Sequence, residues 1–364
     1  MKRPVYITAS GLLCARGASP SKVSEALWSG ECQHGERLIS GKKFPYFHLP
    51  LEINGWLPRA KAAIESIRLQ LGKLAPETPL FIASSSFQMG YFEELGSQGA
   101  GSKVDLPLPA ASFSRNLADW LQLSGPRYSF SNACISGFSA IDAARSLISA
   151  GQIDEAIVLG VELSNASTLA GFAGMELLSR TSCRPFDTRR DGLVLGEGIS
   201  AIRLSAEHGA WRIAGLRTGI DAYSMTGPNP NGVPLASATV DCLKEAKMDA
   251  SDIDLIKLHA AGSPGTDLAE ANALRSVFGN RMPPLLSLKA ALGHTLGASG
   301  IIETAALLAC LSDEKTPATY GFSKVDPEIA LFPMVDRSTD YVEHALLNLI
   351  GFGGGIASLI VSRG

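Results

Sequence analysis

Short apolar runs alternate with longer segments of helical period along most of the chain, and this alternation limits most strongly how the chain can fold. Strand-like runs lie at residues 5–8, 80–83, 156–161, 199–204, 255–258, 285–288 and 357–361. Helical periods lie at residues 59–71, 135–150, 236–246 and 267–278. Strands that alternate with helices in this way are typical of α/β domains, so we predict an α/β architecture.

The chain has no long low-complexity linker, and its pattern changes near residues 205–212. We therefore predict two packed halves, residues 1–205 and residues 206–364. Each half contains a strand, a turn with a reactive side chain and a helix, at residues 128–130 before Cys134 and at residues 255–258 before His259. This parallel suggests an internal duplication, although no residue-level repeat is visible.

The composition excludes several classes of protein. Of the 364 residues, 46% are hydrophobic and 18% are charged, which suits a large buried core and not a disordered chain. The net charge is −3 and no basic tract exceeds two residues, so we expect no nucleic-acid partner. The six cysteines and six histidines show no metal-binding spacing, and we expect reduced thiols, a cytoplasmic location and no metal.

The N-terminus and the apolar runs bear on membrane targeting. The alternating residues 5–8 and the lack of a cleavage site of small residues favour a buried first strand over a signal peptide. No uninterrupted apolar run reaches the length of a bilayer span, so we expect no integral membrane association.

Cys134 lies among small residues at a strand-to-helix turn. Apolar side chains recur at spacings of three and four from Phe138 to Ile148, which predicts a helix that begins near the cysteine. A helix N-terminus favours a thiolate, and a thiolate attacks thioester carbonyls. The alternative is a structural cysteine buried in the core.

Two histidines and a lysine follow other strands. His259 precedes small residues, and Lys289 and His294 share a segment that is otherwise small and apolar. Each histidine alone fits a structural role as well as a catalytic one. A buried lysine needs a partner, and Glu303 on the following helix is its natural counter-ion.

Residues 348–355 read NLIGFGGG and precede the last strand. The spacing is not that of a dinucleotide-binding turn. Backbone N–H groups in such a turn can form an oxyanion hole, whereas the simpler interpretation is a tight turn between strands.

Together these segments resemble the β-ketoacyl-[acyl-carrier-protein] synthases of the thiolase superfamily, of the elongating Cys-His-His type. The family's nucleophile motif, ACxSG, matches residues 133–137. Its RPFDxxRDGxxxGEG and DAYxMTxPxPxG stretches match residues 184–198 and 221–232. Its two histidine motifs and its GFGG fall on residues 259–270, 287–303 and 351–354, in the family's order.

The resemblance implies a five-layered αβαβα thiolase-like fold built from two duplicated halves. It also implies a decarboxylative Claisen condensation in which Cys134 carries the acyl group. The N–H groups of Cys134 and Phe352 would form the acyl oxyanion hole and gate. His259 and His294 would bind the malonyl thioester oxygen, with no cofactor.

The remaining expectations from the resemblance concern the groups around these residues. Lys289, paired with Glu303, would hold the histidines and complete the catalytic set. Expected partners are an acyl-carrier protein and a second ketosynthase chain, in a homodimer or in a heterodimer with a paralogue, through a sheet-edge contact in the nucleophile half.

The sequence also departs from the family at positions expected to bind substrate. Ala261 and Ser263 stand where the family has two threonines that bond the pantetheine arm, and Leu193 replaces a phenylalanine. Gly353, within the GFGG motif, is also expected to contact substrate. After this motif the chain has Gly355-Ile356 where the family has Thr-Asn. These changes suggest a specialised condensing enzyme, of a secondary-metabolite or polyene pathway.

Three alternatives stay open at this point. A thiolase would need a second catalytic cysteine in the C-terminal motifs, and an initiating Cys-His-Asn synthase would have asparagine at His294. A non-catalytic chain-length-factor subunit usually lacks the nucleophile, but the altered motif after His259 keeps this alternative in play.

Overall fold

The computed structural model describes residues 3–30, 32–39, 41–97 and 109–364. Its strands are β1 (Tyr6–Cys14), β2 (Gly35–Ile39), β3 (Lys42–Phe47), β4 (Leu80–Ala83), β5 (Arg127–Phe130), β6 (Glu155–Glu162), β7 (Leu195–Gly196), β8 (Gly198–Ser205), β9 (Trp211–Ile220), β10 (Leu255–Lys257), β11 (Leu285–Leu286), β12 (His344–Ile350) and β13 (Gly355–Arg363). Its α-helices are α1 (Pro20–Ser29), α2 (Trp56–Gln70), α3 (Met89–Ser97), α4 (Pro109–Leu121), α5 (Ser136–Ser149), α6 (Ala166–Gly174), α7 (Val233–Ala246), α8 (Pro264–Phe278), α9 (Lys289–Leu292) and α10 (Ser299–Ser312). The predicted alternation of strands and helices is confirmed.

Most strands form one continuous mixed sheet, in the order β11-β10-β12-β13-β9-β1-β8-β6-β4-β5. The five strands from β1 to β5 in this order come from residues 6–205, and the five from β11 to β9 come from residues 211–363. The two sets meet where β1 pairs antiparallel with β9, with Tyr6 opposite Arg212. The predicted buried first strand therefore lies at the centre of the sheet.

The strand pairings repeat between the two sets. β4 runs parallel to β5 and β6, as β10 runs parallel to β11 and β12. β6 is antiparallel to β8, as β12 is antiparallel to β13. The expected duplication is thus present in the topology.

The duplication relates different turns from those suggested by the sequence. β10 corresponds to β4, and β11 corresponds to β5. The turn after β5, which holds Cys134, therefore corresponds to the turn after β11 and not to the turn after β10, which holds His259. The parallel that the sequence suggested between these two turns is wrong. The reason is that a strand followed by a helix recurs many times in this fold, after β1, β3, β4, β5, β6, β9, β10 and β11. The local pattern cannot show which recurrences are related.

The helices and the two sets of strands form five layers, in the order outer helices, strands, central helices, strands and outer helices. α5 and α10 pack on each other and on the central strands, with α2 and α4 outside one set of strands and α7 and α8 outside the other. α5 and α10 approach closely at two glycines: a Cβ on Gly137 would lie 3.1 Å from the Gly300 Cα. α10 is buried on nearly all sides, which explains its apolar sequence. The layered thiolase-like fold is as expected.

Candidate active site

Cys134 lies on a sharp turn between β5 and α5, and its side chain is buried. The residue before it, Ala133, has φ of 47°, a left-handed conformation that is strained for alanine. α5 begins at Ser136, so the cysteine lies two residues before the helix. The strained turn aims the sulfur at the cleft between the two sets of strands.

The protonation state of Cys134 differs from the one predicted. Burial raises the pKa of its thiol to about 11, although the charge of Lys289 and a hydrogen bond from the Phe352 N–H act in the opposite direction. The resting group is therefore a thiol, and the predicted thiolate is wrong. Loss of hydration outweighs the helix terminus, an effect that a sequence pattern does not reveal.

His294 lies beside the sulfur, between α9 and α10. Its Nε2 atom is 3.2 Å from the Cys134 Sγ atom. The Leu296 backbone N–H donates to Nδ1 over 3.3 Å, and the Ser299 Oγ lies 3.0 Å from the same nitrogen. Because Nδ1 accepts a hydrogen bond, the neutral ring carries its proton on Nε2, which faces the sulfur.

His259 follows β10 and lies close to His294. The two ring centroids are 5.6 Å apart and the rings are nearly perpendicular, at 86°. Burial lowers the pKa of His259 well below its usual value, and the charge of Lys289 adds to this effect. Burial and Lys289 lower the pKa of His294 in the same way. Both rings are therefore uncharged near neutral pH.

Two carboxylates hold the backbone of the His259 loop. Glu270 accepts the N–H groups of His259 and Ala260 over 2.7 and 2.8 Å. Asp267 accepts the N–H groups of Ala261, Gly262 and Phe186 over 3.1, 3.3 and 2.9 Å. Both acidic residues belong to α8, so this helix sets the position of the histidine.

Lys289 and Glu303 form the predicted ion pair below the histidines. Neither lines the cleft, and their side chains are 0% and 1% exposed. Without contact to the cleft they have the geometry of positioning residues, and their place in the catalytic set stays a prediction. A second lysine, Lys257, also contacts Glu303, with Nζ 2.5 Å from Oε2. Lys257 was not predicted, although a single charge within the apolar run LIKL at residues 255–258 was a signal for it.

The cleft brings together most of the predicted residues. Its walls include the predicted residues Cys134, Leu193, His259, Ala261, Ser263, His294 and Phe352. Gly353 is not in the wall: its N–H donates over 2.8 Å to the carbonyl oxygen of Met225, which turns it towards a neighbouring loop. The predicted contact of Gly353 with substrate therefore has no support in this geometry.

The glycine-rich turn closes one side of the cleft. A Cβ on Gly351 would lie 3.2 Å from the Cys134 backbone nitrogen, so glycine allows the two turns to approach. The Phe352 ring stacks on Phe172 of α6, with centroids 5.4 Å apart and an interplanar angle of 11°. The N–H groups of Cys134 and Phe352 thus lie at the same end of the cleft. Phe172 was not predicted, since nothing in the sequence of α6 marks it.

The described parts of the chain contain neither a candidate metal site nor a candidate membrane-spanning helix. In residues 3–30, 32–39, 41–97 and 109–364, no group of His, Cys, Asp and Glu side chains could hold a metal ion. Among the helices of those same ranges, none combines the length and the apolar character needed to cross a bilayer.

Family models match most of the chain. The model for "Beta-ketoacyl synthase, N-terminal domain" matches residues 56–210, and the model for "Beta-ketoacyl synthase, C-terminal domain" matches residues 211–323.

Curated relatives carry related names. The 3-oxoacyl-[acyl-carrier-protein] synthase 2 of Mycobacterium tuberculosis is 35% identical over 250 residues, which cover 64% of this chain and 60% of that protein. A putative mitochondrial 3-oxoacyl-[acyl-carrier-protein] synthase of Schizosaccharomyces pombe is 33% identical, over 72% of this chain and 66% of that protein. The chain thus spans about 60% of the length of the first of these relatives.

Solved structures share the fold over the whole chain. A beta-ketoacyl synthase from Burkholderia phymatum has a TM-score of 0.86 at 25% identity and covers 100% of both chains. A ketosynthase from Xenorhabdus doucetiae, solved with its chain length factor, has a TM-score of 0.87 at 23% identity and covers 100% of this chain and 98% of that one.

Proposed function

Because this chain belongs to the beta-ketoacyl synthase family, we propose that it is an acyltransferase of the 3-oxoacyl-[acyl-carrier-protein] synthase type. It joins an acyl group held on Cys134 to a malonyl unit on a carrier protein, in fatty-acid or polyketide synthesis. The observation that carries this proposal is the contact of Cys134 Sγ with His294 Nε2 over 3.2 Å, in a cleft shared with His259.

The first half-reaction is acyl transfer to the cysteine. The Cys134 sulfur attacks the carrier thioester, a new C–S bond forms, and the carrier sulfur leaves with the thiol proton. The N–H groups of Cys134 and Phe352 stabilise the oxyanion that forms on the acyl carbonyl. Since the resting group is a thiol, the Nε2–H of His294, 3.2 Å from the sulfur, supplies the stabilisation as charge develops on sulfur.

The second half-reaction is condensation. The malonyl unit loses CO₂, and the electron pair of the broken C–C bond forms an enolate on its thioester. The enolate carbon attacks the acyl carbonyl, a C–C bond forms and the C–S bond to Cys134 breaks. Cys134 leaves as a thiolate, which takes up one proton from solvent to restore the resting thiol. His259 and His294 donate hydrogen bonds to the enolate oxygen, a role that an uncharged ring fills when it presents its N–H to substrate. The thioester itself supplies the electron-withdrawing group, so we propose that no cofactor takes part.

The partners are also part of the proposal. We propose an acyl-carrier protein as the substrate carrier and a second ketosynthase chain, identical or paralogous, as the dimer partner. The edge strand β5 supports the dimer because its residues Arg127, Tyr128 and Ser129 are exposed and it lies at the end of the sheet. We further propose a cytoplasmic location, since all six cysteines are unpaired thiols.

Substitution of the nucleophile tests this function. Cys134→Ser should lower condensation by at least about 10³-fold, because an alcohol forms almost no anion near neutral pH. Cys134→Ala should release CO₂ from malonyl-carrier protein at an equal or higher rate while forming no condensed product. Product and CO₂ are measured with an acyl primer and malonyl-carrier protein, and Cys310→Ala, a buried cysteine on α10, is the control.

Two results would contradict the proposal. Full condensing activity in Cys134→Ser would exclude Cys134 as nucleophile. A wild-type chain that is never acylated at Cys134, alone or with a paralogue, would favour the chain-length-factor alternative.

A further inference from the structure

Lys257 is fully buried at the end of β10, the second strand from one edge of the sheet, between β11 and β12. An ammonium group in such a place is costly unless it is paired and hydrogen-bonded. Its Nζ atom donates to Glu303 Oε2 over 2.5 Å and to the Asn348 carbonyl oxygen over 3.2 Å. Both partners lie far along the chain, on α10 and β12, so the lysine ties three elements together.

Glu303 is shared between two lysines. Its other oxygen, Oε1, accepts from Lys289. Burial alone would raise the pKa of Glu303, but the charges of Lys257 and Lys289 hold it below its usual value. One carboxylate therefore faces two ammonium groups, and Lys257 fixes the oxygen that Lys289 does not.

The histidines lie next to this cluster. The pKa of His259 is lowered by burial, by Lys289 and His294, and also by Lys257. The pKa of His294 is lowered by burial, by Lys289 and by Lys257. The titratable groups that share this interior with the two rings are Cys134, Glu162, Lys257, Asp267, Glu270, Lys289 and Glu303.

We propose that Lys257 is a positioning residue of the condensation site, which shares Glu303 with Lys289, fixes that carboxylate and places a second positive charge behind His259 and His294. This inference rests on the proposed condensing function. A second ammonium group makes a protonated imidazole less favourable. It therefore keeps both rings in the uncharged form whose N–H stabilises the enolate.

The structure also predicts what loss of Lys257 would do to stability. In Lys257→Met the balanced Lys289–Glu303 pair is left, and a buried charge is replaced by an apolar side chain of similar length. Because Glu303 keeps Lys289 as its counter-ion, no buried charge is left unpaired, and the expected loss of stability is limited to the hydrogen bonds that Lys257 donates. A purely structural role predicts the opposite result, a marked loss of stability with unchanged histidines.

The experiment compares Lys257→Met and Lys257→Gln with wild type and with Lys244→Met, an exposed lysine on α7. Glutamine can still donate to Glu303 and Asn348 without charge, so it keeps the test readable if the methionine variant does not fold. Histidine pKa values are measured by NMR on protein labelled at histidine ¹³Cε1, with His259→Gln and His294→Gln used for assignment. Tm and the pH profiles of kcat and KM are measured in parallel.

We expect the pKa of His259 and His294 to rise by about 0.5 to 1 unit in both Lys257 variants. We also expect kcat to fall with KM unchanged, and the acidic limb of kcat to move to higher pH. Unchanged histidine titrations would overturn the proposal, whether or not Tm falls. The titration needs no turnover, so it can be read even if the proposed condensation is not observed.

Discussion

The two sets of strands share one topology but hold their functional groups by different means. On the nucleophile side, backbone shape positions Cys134: Ala133 has φ of 47°, and Gly351 packs against the cysteine nitrogen. On the histidine side, buried carboxylates hold the loop of His259, and the charges of Lys257 and Lys289 act on both rings. The same fold thus supports a strained reactive turn at one set of strand ends and an ionised cluster at the other.

The buried glutamates make this difference concrete. Glu162, at the end of β6, accepts only uncharged donors among the described residues, from the backbone and hydroxyl groups of Ser85 and Ser86 and from the Gly297 N–H over 3.0 Å. Glu303 is held by Lys257 and Lys289. The thiol that accepts the acyl group depends on the position of its sulfur. The histidines depend on nearby positive charges, which keep their rings uncharged.

Replacement of each glutamate by glutamine should lower the free energy of unfolding by different amounts on the histidine side and on the nucleophile side. Glu303→Gln leaves two buried ammonium groups without a counter-ion and should lower the free energy of unfolding by about 3–5 kcal/mol. Glu162→Gln loses only some hydrogen bonds to uncharged donors and should cost about 1–3 kcal/mol. Urea unfolding of both variants gives the comparison, and equal losses would remove the distinction.

Loss of either histidine should affect condensation more than folding. His259→Ala or His294→Ala should slow condensation by about 10²–10³, the usual effect of one oxyanion donor. Steady-state rates with malonyl-carrier protein measure this effect, with the exposed His208→Ala as control. Wild-type rates in both active-site variants would break the assignment of enolate stabilisation to these rings.

Stability should depend on pH through the same two histidines. Their folded-state pKa values are lowered, so the unfolded chain takes up protons below about pH 6.5 while the folded chain does not. The contribution of the histidines to the free energy of unfolding is therefore complete above that pH and is lost as pH falls, by about 1.4 kcal/mol per unit for each histidine. Asp267 and Glu270, whose pKa burial raises to about 7, act in the opposite direction over the same range. Unfolding free energies at pH 7.5, 6.5 and 5.5 are therefore compared between wild type and His294→Asn, which should lose less stability than wild type as pH falls, whereas His208→Asn should follow wild type.

The smallest expected effect concerns Ala261 in the cleft wall. Ala261→Thr should add one hydroxyl group that can bond a pantetheine amide, a gain of about 0.5–1.5 kcal/mol. We expect a several-fold lower KM for acyl-pantetheine substrates with kcat little changed, because the arm is bound equally in ground and transition states. A KM that is unchanged or higher on both acyl-coenzyme A and acyl-carrier protein would show that Ala261 faces another group.

Local patterns in the sequence predicted much of the fold. The run at residues 80–83 is β4 as predicted, and the helical period at 135–150 is α5 to within a residue at each end. β9 was missed because Arg212 and Arg217 interrupt its apolar pattern, and its pairing with β1 and β13 makes it a strand. β12 reads HALLNLI, whose alanine and leucines do not favour a strand, and it becomes one between β10 and β13.

The sequence alone determined the order of the elements and the residues that meet in the cleft, Cys134, His259 and His294, because periodicity and motifs are local properties of the chain. Only the tertiary structure decided their chemical state. Cys134 rests as a thiol because folding removes it from water, and Lys257 joins the site because α10 brings Glu303 to it from 46 residues away. Burial and Coulomb interactions depend on distances between remote segments, and no local pattern contains those distances.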